Sequence, residues 1–121
     1  MAQTSAAISP GTLTREIRDC LDDNKAEDIV AIDLAGKSTL ADTMIIATGN
    51  SDRHVGALAN HALKRLKELG VDHVQVEGMP HNDWVLLDAG DVIIHIFRPE
   101  VRAFYRLERL WAEEAPKARA N

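Results

Sequence analysis

Five histidines and one cysteine are the side chains of this 121-residue chain best suited to holding a metal, and their spacing argues against it. His54 and His61 lie seven positions apart on one expected helix, roughly 10 Å of axial rise and too far to share an ion. His73 and His81 flank an expected strand, but no spacing here matches a zinc signature, and a lone Cys20 excludes a multi-cysteine site. Asp88 and Asp91 are placed to face each other across a hairpin end, where paired carboxylates could hold magnesium for nucleotidyl transfer. Such sites commonly use Asp-x-Asp spacing, which the chain lacks, and Leu86 and Ile93 fill the next paired positions. Both aspartates are therefore expected to stabilise the turn. Gly36-Lys37-Ser38 suggests a phosphate loop, but the glycine needed five positions before Gly36 is replaced by Ala31, inside an apolar run. Neither a GxSxG elbow nor a dinucleotide fingerprint occurs, so no catalytic machinery and no cofactor or metal is expected.

The run from Trp84 to Phe97 carries a different kind of signal. Two apolar strands flank Ala89-Gly90, which reads as a two-residue turn bracketed by Asp88 and Asp91. Counting outward pairs Leu87 with Val92, Leu86 with Ile93, Val85 with Ile94 and Trp84 with His95. Alternation then places Val85, Leu87, Val92, Ile94 and Ile96 on one face, an ordinary core set. Trp84, Leu86, Ile93, His95 and Phe97 share the other face. That face either packs under a helix or meets another protein, since tryptophan is enriched in binding hot spots and the strip has an acidic rim.

The remaining elements must position this hairpin. Leu13, Ile17, Cys20 and Leu21 form a helical stripe with Thr12 as its expected cap, and Cys20 on that stripe reads as a packing residue, not a reactive thiol. Ile29–Leu34 and Met44–Thr48 read as strands, the second buried on both faces and central. Gly49-Asn50-Ser51-Asp52 opens a helix with Val55, Leu58, Ala59, Ala62, Leu66 and Leu69 on one stripe, closed by Gly70 and followed by a strand at Val74-Gln75-Val76. This βαβ arrangement makes those two strands parallel. A last helix starts at Pro99, with Phe104, Leu107, Leu110 and Trp111 available for burial and Pro116 near its end. The order is αββαβββα. Arg98, Arg102, Arg106 and Arg109 recur at helical spacing, either as a solvated face or as a nucleic-acid contact.

A length of 121 residues with 45% hydrophobic content fits one domain, and a formal charge of -5 argues against a dedicated nucleic-acid-binding module. Residues 1–11 are expected as a flexible arm, 12–115 as the folded domain and 116–121 as a flexible tail. No secretory signal or membrane span is visible, so a cytoplasmic protein is expected.

The Trp84–Phe97 run, followed by Arg102, Phe104-Tyr105, Leu107-Glu108 and Leu110-Trp111, closely resembles the Iojap/RsfS ribosomal silencing factors. The resemblance extends upstream through Ala41-Asp42, Ala47-Thr48-Gly49-Asn50-Ser51, Arg53-His54-Val55 and Glu77-Gly78, covering roughly residues 13 to 112. It implies a single-domain α/β fold with a mixed five-stranded sheet and flanking helices, nucleotidyltransferase-like without the catalytic carboxylates. It also implies a non-enzymatic factor that binds ribosomal protein fourteen of the large subunit and sterically blocks joining of the small subunit. Free members resemble homodimers, and the ribosome-bound form is expected to be a monomer. On this reading Trp84, Leu86 and His95 carry affinity, while Asp88, Asp91 and Glu77 orient basic groups of the partner. Arg102 and Tyr105 are further candidate contacts, and the arginine stripe a minor one to ribosomal RNA. Two alternatives stay open: a nucleotide-binding transferase on the same scaffold, and a homodimeric scaffold protein without a ribosomal partner.

Overall fold

The two apolar stripes and five apolar runs assemble into one mixed sheet with helices on both faces. The computed structural model describes residues 9–34, 41–79 and 81–105, the side chains of Pro10 and of residues 103–105 excepted. In chain order these form α1 (Pro10–Asp23), β1 (Glu27–Asp33), β2 (Thr43–Thr48), α2 (Asp52–Glu68), β3 (Gln75–Glu77), β4 (Trp84–Asp88), β5 (Val92–Phe97) and α3 (Pro99–Tyr105). The order of element types is the one expected from the sequence. The Gly36-Lys37-Ser38 segment, the expected continuation of the last helix beyond Tyr105 and the expected tail at 116–121 lie outside the described residues.

Helix α1 starts earlier than its apolar stripe suggests. Ser9, not Thr12, is the cap: its hydroxyl accepts from the Thr12 amide at 3.1 Å. Pro10 takes a first-turn position, where its missing N–H leaves no bond unmade. Pro10 and Gly11 therefore belong to the helix and not to a flexible arm. Helix α2 begins where the sequence places it, with Ser51 accepting from the His54 amide at 3.1 Å. It closes at Gly70 (φ 93°), whose N–H reaches the Lys67 carbonyl while Val71 N–H reaches Leu66. Those two bonds satisfy carbonyls that the helix end would otherwise leave bare.

The sheet order is β1-β2-β5-β4-β3, with β2 and β5 parallel and all other neighbours antiparallel. Strands β2 and β3 do point the same way, as the βαβ pattern requires, but β5 and β4 lie between them. Strand β2 is interior though not central, and Met44–Thr48 are all buried. Leu13, Ile17 and Leu21 of α1 pack with Val55, Leu58, Ala59, Ala62 and Leu66 of α2 over Ile45, Ala47, Val85, Leu87, Val92, Ile94 and Ile96. Each of the valines, leucines and isoleucines among them contributes about 1.5–3 kcal/mol when fully buried, so this face is the principal core. A smaller cluster of Ile32, Leu34, Ala41, Met44, Ile46 and Phe97 lies on the opposite face, with Val101 of α3 packed against it. The first and last helices thus divide between the two faces, and the Trp84 face is itself in part core, since Trp84 and Ile93 also pack against this cluster.

The candidate partner-binding face

The face assignment along the hairpin is the expected one, but the register is not. Asp88 pairs with Ile93, Leu86 with His95 and Trp84 with Phe97, so β5 is displaced by two residues from the counted pairing. The turn centres on Gly90-Asp91, not Ala89-Gly90. Ala89 N–H bonds the Val92 carbonyl at 3.0 Å, and Gly90 has φ 91°, a conformation glycine adopts without a steric penalty. The Asp88 carboxylate accepts from the Gly90 amide at 3.0 Å, so that side chain secures the turn. Asp91 is exposed, and its carbonyl accepts from the Asp42 and Thr43 amides.

Trp84, Leu86 and Ile93 are half-buried, whereas Phe97 is fully buried and His95 is 5% exposed. The Trp84 indole stacks on Phe97 with ring centroids 4.9 Å apart and planes inclined by 24°. Its Nε1–H donates to His95 Nδ1 at 2.9 Å. Trp84 and His95 therefore meet diagonally across the ladder, within reach because both rings are long. Burial pushes the His95 imidazole down to about 4, so it is neutral at neutral pH. Glu77 pairs with Leu86 and Asp88 with Ile93, which puts both acidic residues on this same face. The strip is thus apolar at its centre and acidic along the β3 and turn sides.

Arg102 corrects an expectation. It is only 8% exposed, and its Nη1 donates to the Asp28 carbonyl at 2.6 Å and to Thr48 Oγ1 at 2.7 Å. Asp28 sits at a bulge between Glu27 and Val30 with φ 50°, which turns its carbonyl away from ladder pairing. Arg102 accordingly ties α3 to β1 and β2 instead of reaching a partner. Arg98 bonds Asp83 at 3.1 Å and Glu100 at 2.9 Å. Its neighbour on the expected stripe is buried, so Arg98 and Arg102 do not form a continuous basic surface; Arg106 and Arg109 lie outside the described residues, as does the side chain of Tyr105.

Two glycines, Gly56 and Gly78, permit close approaches that no sequence pattern assigned to them. A Cβ on Gly78 (φ 98°) would lie 2.1 Å from the Trp84 carbonyl oxygen, and one on Gly56 would lie 2.6 Å from Asn82 Nδ2. A glycine inside the apolar stripe of α2 was the available signal for such a close approach. Cys20 is half-buried with Sγ 3.6 Å from the His61 carbonyl, and burial pushes its thiol up, against the nearby Arg65. Among the described residues no three histidine, cysteine or acidic side chains gather as metal ligands. His54 instead bridges Asn50 N–H at 2.8 Å and the Asn24 carbonyl at 3.0 Å, joining the ends of α1 and α2.

Fold and face together define a small mixed α/β domain with one sheet face sealed by two helices and a strip of the other left partly open. The sequence model of the family described as ribosomal silencing factor during starvation matches residues 7–121, and the chain belongs to that family. It is 50% identical over 109 residues to the ribosomal silencing factor of Zymomonas mobilis, spanning 90% of this chain and 82% of that protein. A crystal structure of a Chromobacterium violaceum protein superposes with a TM-score of 0.83 at 42% identity, covering 86% of this chain and 87% of that one. A more distant relative is the mouse mitochondrial assembly of ribosomal large subunit protein 1, 35% identical over 71% of this chain and 39% of its own length.

Proposed function

We propose that the Trp84–Leu86–Ile93 strip docks on ribosomal protein fourteen of the large subunit, and that the bound protein sterically blocks joining of the small subunit. The observation that carries this reading is the strip itself: half-buried apolar strand side chains flanked on their own face by Glu77 and Asp88. A partner that covers Trp84 and Leu86 gains from their desolvation, and the acidic rim orients basic side chains as they approach. The net charge of -5 favours encounter with a basic ribosomal protein. The family name places the protein among ribosome regulators, and the name of the mouse relative points to the large subunit. No catalytic step enters this mechanism: occupancy of a surface that the small subunit needs is sufficient to repress translation in the cytoplasm. The free protein is a homodimer in this reading, and ribosome binding releases the monomer.

Leu86→Glu tests the assignment. The substitution places a third carboxylate beside Glu77 and Asp88 at a partly exposed position, from which its charge can reach water, so the fold is expected to persist while the apolar centre is lost. Binding to purified large-subunit protein fourteen, followed by calorimetry, is expected to fall at least about a hundredfold, a loss of the size seen when an interface centre is removed. Subunit joining in a purified system should then proceed as though the factor were absent. A folded Leu86→Glu protein that binds and blocks joining like wild type would remove this face from the interface.

A further inference from the structure

Trp84 and His95 are both on the candidate docking face, yet they differ sharply in exposure. Trp84 is half-buried, whereas His95 is 5% exposed beneath it, too deep to offer a partner much surface. What His95 offers is directed inward at the tryptophan. An indole N–H is a donor only, so the 2.9 Å bond from Trp84 Nε1 requires an unprotonated acceptor at His95 Nδ1. This fixes the tautomer with hydrogen on Nε2. The depressed basicity of the buried imidazole keeps that acceptor lone pair available throughout the neutral range.

The stack on Phe97 alone does not orient the indole. Stacking at 4.9 Å holds the ring plane, but a ring turned over within that plane keeps nearly the same overlap. A hydrogen bond is directional and lifts the degeneracy, because only one orientation brings Nε1 to the His95 lone pair. His95 is itself held nearly parallel to Phe97, with centroids 5.9 Å apart and planes inclined by 18°. Phe97 is fully buried in the second core cluster and forms the floor of the arrangement.

We infer that His95 is a positioning residue for docking: through its Nδ1 it fixes the one orientation in which the Trp84 indole meets the partner, and it makes no partner contact of its own. The inference rests on the reading of the Trp84 strip as the docking face. A pre-oriented indole binds without first losing rotational freedom, which is how an internal hydrogen bond raises affinity at a distance from the contact.

A double-substitution cycle on the full chain tests this, with binding to purified large ribosomal subunits measured by co-sedimentation. His95→Leu removes the acceptor, and Trp84→Phe removes the donor. His95→Leu is expected to weaken binding roughly tenfold in the wild-type background, as loss of a buried donor's partner does, and to have no further effect in Trp84→Phe. The Trp84 indole N–H resonance, assigned by its disappearance in Trp84→Phe, should move upfield in His95→Leu as its hydrogen bond is lost. Should the leucine variant fail to fold, His95→Asn and His95→Gln replace it, because asparagine places an oxygen acceptor near the Nδ1 position and glutamine does not. Asparagine should then bind more tightly than glutamine. Additive losses in the cycle, or equal binding by the two amides, would overturn the role assigned to His95. Wild-type protein that does not sediment with large subunits would instead overturn the docking reading beneath it.

Discussion

A neutral imidazole buried beneath an indole makes His95 a residue through which acid weakens the fold. Burial holds it near 4 in the folded protein, below the ordinary histidine value of 6.5, so the unfolded chain binds a proton that the native state refuses. The contribution is fully present above the unfolded value and is lost as pH falls from 6.5 toward 4. Between pH 7 and 4.5 this lowers stability by about 2 kcal/mol. Urea unfolding at both pH values checks it: His95→Asn should lose about 2 kcal/mol less than wild type over that interval, since asparagine does not titrate. Equal losses would mean that His95 takes up no proton on unfolding. Glu16 is also shifted downward, but chiefly by its hydrogen bond from Arg65 and not by burial, and its contribution is lost only as pH falls through the more acidic carboxylate range. The two effects are separable because only the first vanishes in His95→Asn.

At the scale of elements, the approach of β4 to the loop before it depends on a missing side chain. Gly78 has φ 98° and its hypothetical Cβ meets the Trp84 carbonyl at 2.1 Å, a backbone atom that cannot swing aside. Gly90 has a similar φ of 91°, but nothing lies within 4 Å of the same position. Alanine at Gly90 therefore costs only the left-handed backbone penalty, about 1 kcal/mol, whereas alanine at Gly78 adds a steric clash and should cost roughly 3 kcal/mol. Denaturant midpoints of the two variants measured side by side check the difference. The same glycines show why part of the architecture was legible in the sequence and part was not. Alternation gave the face of every residue of β4 and β5, though not the burial of His95 and Phe97 on the second face, because a period of two survives any even displacement of the strands. For that reason alternation could not reveal the two-residue slip, which Gly90 and the Asp88 carboxylate decide. Helical periodicity located α1 and α2 but began α1 too late, since Pro10 carries no apolar stripe and announces itself only as a first-turn residue. Arg102 sat at helical spacing from three other arginines and looked solvated. Its burial depends on a carbonyl exposed by a bulge in β1, far along the chain, which no local pattern encodes.

The whole molecule is a sheet with unequal faces, and adjacent leucines of β4 lie on opposite sides of it. Leu87 is fully buried beneath α1 and α2 in the larger core, whereas Leu86 is half-buried beside Trp84 and Ile93. Removing three carbons from Leu87 leaves a cavity among side chains that are themselves fixed, so Leu87→Ala should cost roughly 3 kcal/mol of stability. Leu86 is partly exposed and belongs to neither buried cluster, so removing the same atoms leaves a gap open to solvent and not an enclosed cavity, and Leu86→Ala should cost less, about 1 kcal/mol. Binding inverts the order. Leu86→Ala is expected to weaken association with large subunits at least about tenfold, while Leu87→Ala binds nearly as wild type wherever it remains folded. Urea unfolding and co-sedimentation on the same two proteins check the inversion. If Leu86→Ala proved as destabilised as Leu87→Ala, the core of the second face would extend through Leu86 and no strip would remain for a partner. The opposite result divides the duties: the face under α1 and α2 holds the fold, while on the other face Arg102 ties α3 to β1 and β2, and Trp84 and Leu86 of β4 stay partly exposed.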